Sequence, residues 1–160
     1  MRSAVRLWVV GVAMFLAACG GSEEPANAVL EHRRLVFPWG YNDAIKDYVV
    51  RDGSAWEAAW RENEPLVWPP DERPTIDFER NQVLGLTRGV SGGCNGMGIE
   101  RVVEEPRRLR VEYKYYGPSP SESSSSQPTL FICPTVVVPL ADFVVVPAAD
   151  KPVVFVRVPS

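Results

Sequence analysis

Apolar and polar residues follow four patterns along this chain. From Leu109 to Tyr116, Leu109, Val111, Tyr113 and Tyr115 alternate with Arg110, Glu112, Lys114 and Tyr116. That period of two predicts a strand with one buried face and one wet face. Val136–Val138, Phe143–Val146 and Val153–Val158 are instead β-branched runs separated by proline and an Ala-Asp-Lys turn. They predict further strands, antiparallel because no helical period intervenes. A helical period is clear only from Ser54 to Asn63, where Trp56 and Trp60 lie four apart on one face and Ala55, Ala58 and Ala59 favour helix. Ser54 and Glu57 form a capping-box pattern, and Asn63 with Pro65 supplies the stop. Two tryptophans so spaced mark a core face, so the helix should cover one side of a sheet. The fourth pattern is the unbroken apolar run Leu7–Ala18, preceded by Arg2 and Arg6. It falls short of the ~20 residues a membrane-spanning helix needs and suits the core of a signal peptide.

The chain is organised around Pro74–Ile99. An extended segment ending in Asp77-Phe78 should lead into a buried strand holding Val83, Leu84 and Leu86, followed by a Gly-rich loop closed by Ile99. Five glycines lie between Gly89 and Gly98, with Ser91, Cys94 and Asn95 among them. Such density calls for tight turning or close approach to a partner, a ligand or the protein's own strands. Ser91, Gly92, Gly93 and Asn95 are therefore candidate partner contacts. Trp68, in the stiff proline-rich loop Pro65–Pro74, is a second candidate anchor. Further strands are expected at Val29–Phe37, Asp47–Arg51 and Ile99–Val103, while Gly20–Ala28 and the serine-rich Gly117–Pro128 lack the residues to build a core. The expected fold is α+β: mainly antiparallel sheet, sandwich-like, with one short helix over about residues 54–63 packed on it.

Cysteine usage and charge narrow the setting. Leu16-Ala17-Ala18-Cys19 closes the apolar run and resembles a bacterial lipobox. That resemblance implies cleavage after residue 18, a diacylglyceryl thioether on Cys19, a tether over 19–28 and a single domain over 29–160. Gly20, rather than Asp, follows the cysteine, which by Gram-negative sorting rules favours the outer membrane. Removal of residues 1–18 takes two of the 17 basic residues and none of the 20 acidic ones, leaving a net charge of −5. Such a chain is unsuited to nucleic acid. Cys94 and Cys133 remain, and in an oxidising compartment a disulfide is the natural expectation, two separate buried thiols being the alternative.

Enzymatic chemistry finds little support. The single histidine, His32, sits on a polar strand, and the Glu104-Glu105 pair falls at a turn. The chain has no HExxH, no plausible Ser/His/Asp arrangement around its one N-terminal histidine, and no Lys-Ser/Thr after the glycines to hold phosphate. No cofactor, metal or small-molecule substrate is expected.

The order of motifs resembles the protease complex subunit PrcB family. The resemblance is carried by Trp56-Glu57-Ala58-Ala59-Trp60, the proline-rich loop, Ile76-Asp77-Phe78, Gln82–Thr87, Ser91-Gly92-Gly93 and Pro139…Val144-Val145-Val146-Pro147. Together these span roughly Arg51–Val158. The family implies a small non-enzymatic domain, often on a lipoprotein, associated with a cell-surface protease that it stabilises. This chain departs from it at Cys94, where the family tends to carry an aromatic residue, and in its serine-rich insert. The expectation is thus an envelope lipoprotein anchored at Cys19 that binds and stabilises a protein, a protease by the resemblance. A loop-type protease inhibitor and a structural lipoprotein without a dedicated partner are the competing readings.

Overall fold

The computed structural model describes residues 27–64, 72–117, 133 and 135–159. The expected leader over residues 1–18, Cys19, most of the expected tether, Trp68 and the serine run lie outside the described residues. Eight strands and one helix occur among the described residues: β1 Ala28–Leu30, β2 Arg33–Arg34, β3 Ile45–Val50, α1 Gly53–Glu62, β4 Asn81–Gly92, β5 Gly96–Glu104, β6 Leu109–Tyr116, β7 Val137–Pro147 and β8 Val153–Arg157. They form two four-stranded sheets, ordered β1-β5-β6-β8 and β2-β7-β4-β3. The α+β sandwich is thus as expected, with the helix on the outer face of the second sheet.

The central strands β4 and β7 of that second sheet are buried on both faces over Gln82–Thr87 and Asp142–Val146. Between the sheets lie Leu84, Leu86, Ile99, Val102, Leu109 and Val111. Under the helix, Trp56 and Trp60 pack with Trp39, Tyr48 and Phe143. Gly85 lies opposite Phe143 in the β4/β7 register, and a Cβ there would fall 2.1 Å from the ring. The missing side chain is therefore the space the ring occupies.

Five local expectations need correction. The helix cap is Asp52, whose carboxylate accepts from Ala55 N at 2.8 Å and from Ser54 Oγ at 2.6 Å. Ser54 thus supports the cap from inside the first turn, and the helix runs Gly53–Glu62. The predicted strand Val29–Phe37 is two short strands, since the chain passes from one sheet to the other at Glu31-His32. Val136–Val138 and Phe143–Val146 belong to one strand, β7, that contains Pro139. Leu35 N donates to Phe143 O at 2.8 Å, and alternate residues of a strand share an edge. Pro139 therefore turns its nitrogen away from β4, which is where a strand tolerates proline. Val153–Arg157 pairs parallel with β6, because the intervening β7 crosses to the other sheet and back. Finally, the Gly-rich loop is mostly strand: β4 and β5 extend through it to a turn at Gly93-Cys94. A bulge between Thr87 and Val90 bends β4, with Gly89 at φ 76° supplying the left-handed residue the bend needs.

Candidate protein-docking surface

The hairpin tip assembles four of the predicted contact residues. Asn95 N donates to Gly92 O at 2.9 Å, and Asn95 Nδ2 donates to Ser91 Oγ at 3.0 Å. Gly92 and Asn95 are exposed while Ser91 and Gly93 are half-buried. Cys94 is disulfide-bonded to Cys133 across a separation of 39 residues, with Cα atoms 5.2 Å apart. The bond ties the turn to the chain just before β7. Trp68, the fifth candidate, lies outside the described residues.

Beside the tip, the strand β7 brings up residues that the chemistry-led reading passed over. Val137 and Val138 pair with Gly92 and Ser91 on one edge. On the other edge, β2 covers only Val144 and Val145, so Val137–Ala141 has no strand beside it among the described residues. A groove of about 500 Å³ lies there, between Val136–Ala141 and the loop Phe37–Tyr41. Its lining includes Phe37, Trp39, Tyr41, Val136, Val137 and Pro139, and among the described residues no acidic or basic one. Tyr41, Val136 and Val137 are each at least half exposed, at 59%, 55% and 50%.

The loop wall is held from several directions. Trp39 is inserted in the aromatic core. Gly40 N donates to Asn63 O at 3.1 Å, and a Cβ on Gly40 would meet Glu64 O at 2.1 Å. Asn42 Nδ2 donates to Asn63 Oδ1 at 3.0 Å, and buried Asn63 in turn donates to Ala59 O and Tyr48 Oη. Tyr41 Oη donates to Val137 O at 2.9 Å across the groove. These bonds fix an apolar rim before any partner arrives, which reduces the ordering entropy of docking. The pattern Pro38-Trp39-Gly40-Tyr41 beside a Val-Val-Val run was visible in the sequence, but only the fold brings the two together.

The polar cluster below the groove is structural. Asp142 is buried, accepts from Ile99 N at 2.7 Å and lies 3.2 Å from Arg34 Nε. Arg34 Nη2 donates to Ile99 O at 2.5 Å. The pair thus takes up the backbone groups of Ile99 just beyond the end of β1, substituting for strand that is not there. Burial raises the Asp142 carboxyl, opposed by the Ile99 N–H and the Arg34 charge. Tyr116 is pushed up to about 12 by burial and by its hydrogen bond to Glu100, while Glu100 is held low chiefly by Lys114 and Tyr116. Tyr116 is thus held protonated and Glu100 ionised near neutrality. His32 is half-buried at the β1–β2 junction, and among the described residues no group of three His, Cys, Asp or Glu side chains could hold a metal.

Comparison with family models, with curated proteins and with solved structures finds no match to this chain.

Proposed function

We propose that this chain is a non-enzymatic accessory subunit, anchored to the cell envelope through lipid on Cys19, that docks and stabilises another protein at the hairpin-tip end. The observation that carries this reading is the braced groove at the open stretch of β7, lined among the described residues by uncharged side chains. A preformed apolar cleft beside a disulfide-braced turn suits an apolar segment of a partner protein better than a small polar ligand. The resemblance to the protease complex subunit PrcB family makes a protease the expected partner.

The test is mild crosslinking in the native cell, solubilisation of the membrane and identification of proteins that co-purify at near-stoichiometric yield. Gly92→Arg and Val137→Asp are suitable probes. A Cβ on Gly92 meets nothing within 4 Å and Val137 is half exposed, so both variants should keep the fold. Recovery of one protease, lost with either variant, is the expected result. An unchanged protease level on deletion of this chain would remove the stabilising role.

The disulfide at the turn favours inhibition as the second reading, because a braced hairpin can sit in a cleft without losing its shape. In that case the purified protein slows its protease stoichiometrically, and Cys94→Ser weakens the effect.

A further inference from the structure

The outer face of the sheet β1-β5-β6-β8 has no described element packed on it. Register fixes what it displays. Val29, Val103, Arg110 and Val154 form one row across the four strands, and Arg101, Glu112 and Val156 form the next. Val103 and Glu112 are buried under their neighbours, Glu112 by ion pairs to Arg101 and Arg110. The exposed remainder is mainly aliphatic and cationic: Val29 and Val154 with Arg101 and the turn residues Arg107 and Arg108, beside half-buried Lys114 paired to the exposed Glu100.

Charge is unevenly divided between the two sheets. Residues 96–117 and 151–159 carry seven basic and four acidic side chains, whereas the rest of the described residues carry eight basic and twelve acidic ones. The first sheet is thus net positive in an otherwise acidic chain. Arg107 has no ion-pair partner among the described residues. The strand β1 is an edge of this same sheet, with Ala28 opposite Glu104 near the Arg107-Arg108 turn. Ala28 lies nine positions after Cys19, a span of at most about 30 Å.

We propose that this face rests on an anionic phospholipid surface, with Arg101, Arg107, Arg108 and Lys114 toward the headgroups. The inference rests on the anchoring at Cys19, which keeps the sheet within reach of the bilayer. Charge complementarity selects the face, since its positive excess is attracted to anionic headgroups within a Debye length of about 8–10 Å, while the acidic helix side is repelled. The orientation leaves the groove, at the open stretch of β7 in the other sheet, facing water and available to a partner.

The chain contains three lysines, which supply the probe. Lys114 and Lys151 belong to the cationic side and Lys46 to the helix side, and each is paired with one glutamate. The full chain, reconstituted in vesicles of phosphatidylcholine alone or with phosphatidylglycerol added, is treated with a membrane-impermeant amine-acetylating reagent, and the rate at each lysine is read by mass spectrometry. Acetylation of Lys114 and Lys151 should slow at least threefold relative to Lys46 on the anionic vesicles only. The normal rate should return at high salt. Arg107→Glu combined with Arg108→Glu, both at an exposed turn, should abolish the protection without altering the fold.

Equal rates in both lipids would overturn the proposal, as would protection of Lys46 instead. Protection in lipid-free detergent that grows with protein concentration would also overturn it, assigning the face to a second copy. The mass of the N-terminal peptide, read in the same samples, tests the anchor separately. An unacylated Cys19 with lysine protection intact would remove the anchor and leave the lipid face standing, whereas acylation without protection would do the reverse.

Discussion

The two sheets meet the same requirement, a covered core, in opposite ways. In the helix-covered sheet, β4 is buried from Gln82 to Thr87 and β7 from Asp142 to Val146, so Val83–Leu86 and Phe143–Val146 read as apolar runs with no preferred face. In the open sheet, β6 alternates, and its outward Glu112 is buried only because two arginines lie over it. A doubly covered strand depends on volume, and a singly covered strand depends on charge pairing. The aromatic filling beneath α1 follows from geometry as well. One helix leaves wide spaces against a twisted sheet, and Trp56, Trp60, Trp39 and Phe143 fill them, whereas sheet against sheet closes chiefly with Leu, Ile and Val, Tyr113 being the one buried aromatic of that cluster.

The most damaging test of that contrast is Phe143→Ala, which empties the space between Gly85 and three aromatic rings. A loss of about 4 kcal/mol is expected, measured by urea denaturation. The disulfide comes next. The 39-residue separation of Cys94 and Cys133 implies a loss of roughly 3–4 kcal/mol on reduction by the chain-entropy estimate. That loss should be felt at the hairpin tip, which hydrogen exchange of the Gly89–Gly98 amides would show.

Gly85→Ala overfills what Phe143→Ala empties and should cost about 2–3 kcal/mol. Combined with Phe143→Leu it should cost less than the two changes summed, because the substitutions share one space. On the open sheet, Glu112→Gln keeps the shape but leaves Arg101 without a counter-charge and Arg110 with Glu105 alone. A smaller loss of about 1–2 kcal/mol is expected, since both arginines keep access to water. A larger loss than that of Gly85→Ala would reverse the assignment of volume to one sheet and charge to the other.

Acidification should have the smallest effect. Glu62 is held low chiefly by Lys46, with Tyr48 also donating to it, so its contribution is complete above its unfolded value and is lost as pH falls through the lower folded value. Asp142 runs the other way. Its raised carboxyl opposes folding above the folded value, and that penalty disappears as pH falls through it. Denaturation followed from pH 7 downward should show Lys46→Met shrinking the acid loss. Asp142→Asn should deepen that loss, because it removes the compensating gain.

The period of two in Leu109–Tyr116 and the Trp56–Trp60 face were legible because each records one element's own burial. The pairing of Cys94 with Cys133 was legible from the expectation of an oxidising compartment in which Cys19 carries lipid. The parallel seat of β8, the division of the first strand between two sheets and the passage of β7 through Pro139 were not. Each depends on which strand lies on which edge, and a local hydrophobic pattern carries no information about edges. The glycines from Gly89 to Gly98 read as a loop because glycine disfavours strand locally. Pairing with Val137, Val138 and Pro139 on one side and with Tyr113–Tyr116 on the other overrides that preference. The groove was hidden for the same reason: its walls, Phe37–Tyr41 and Val136–Ala141, are about a hundred residues apart, and only the folded chain makes them one surface.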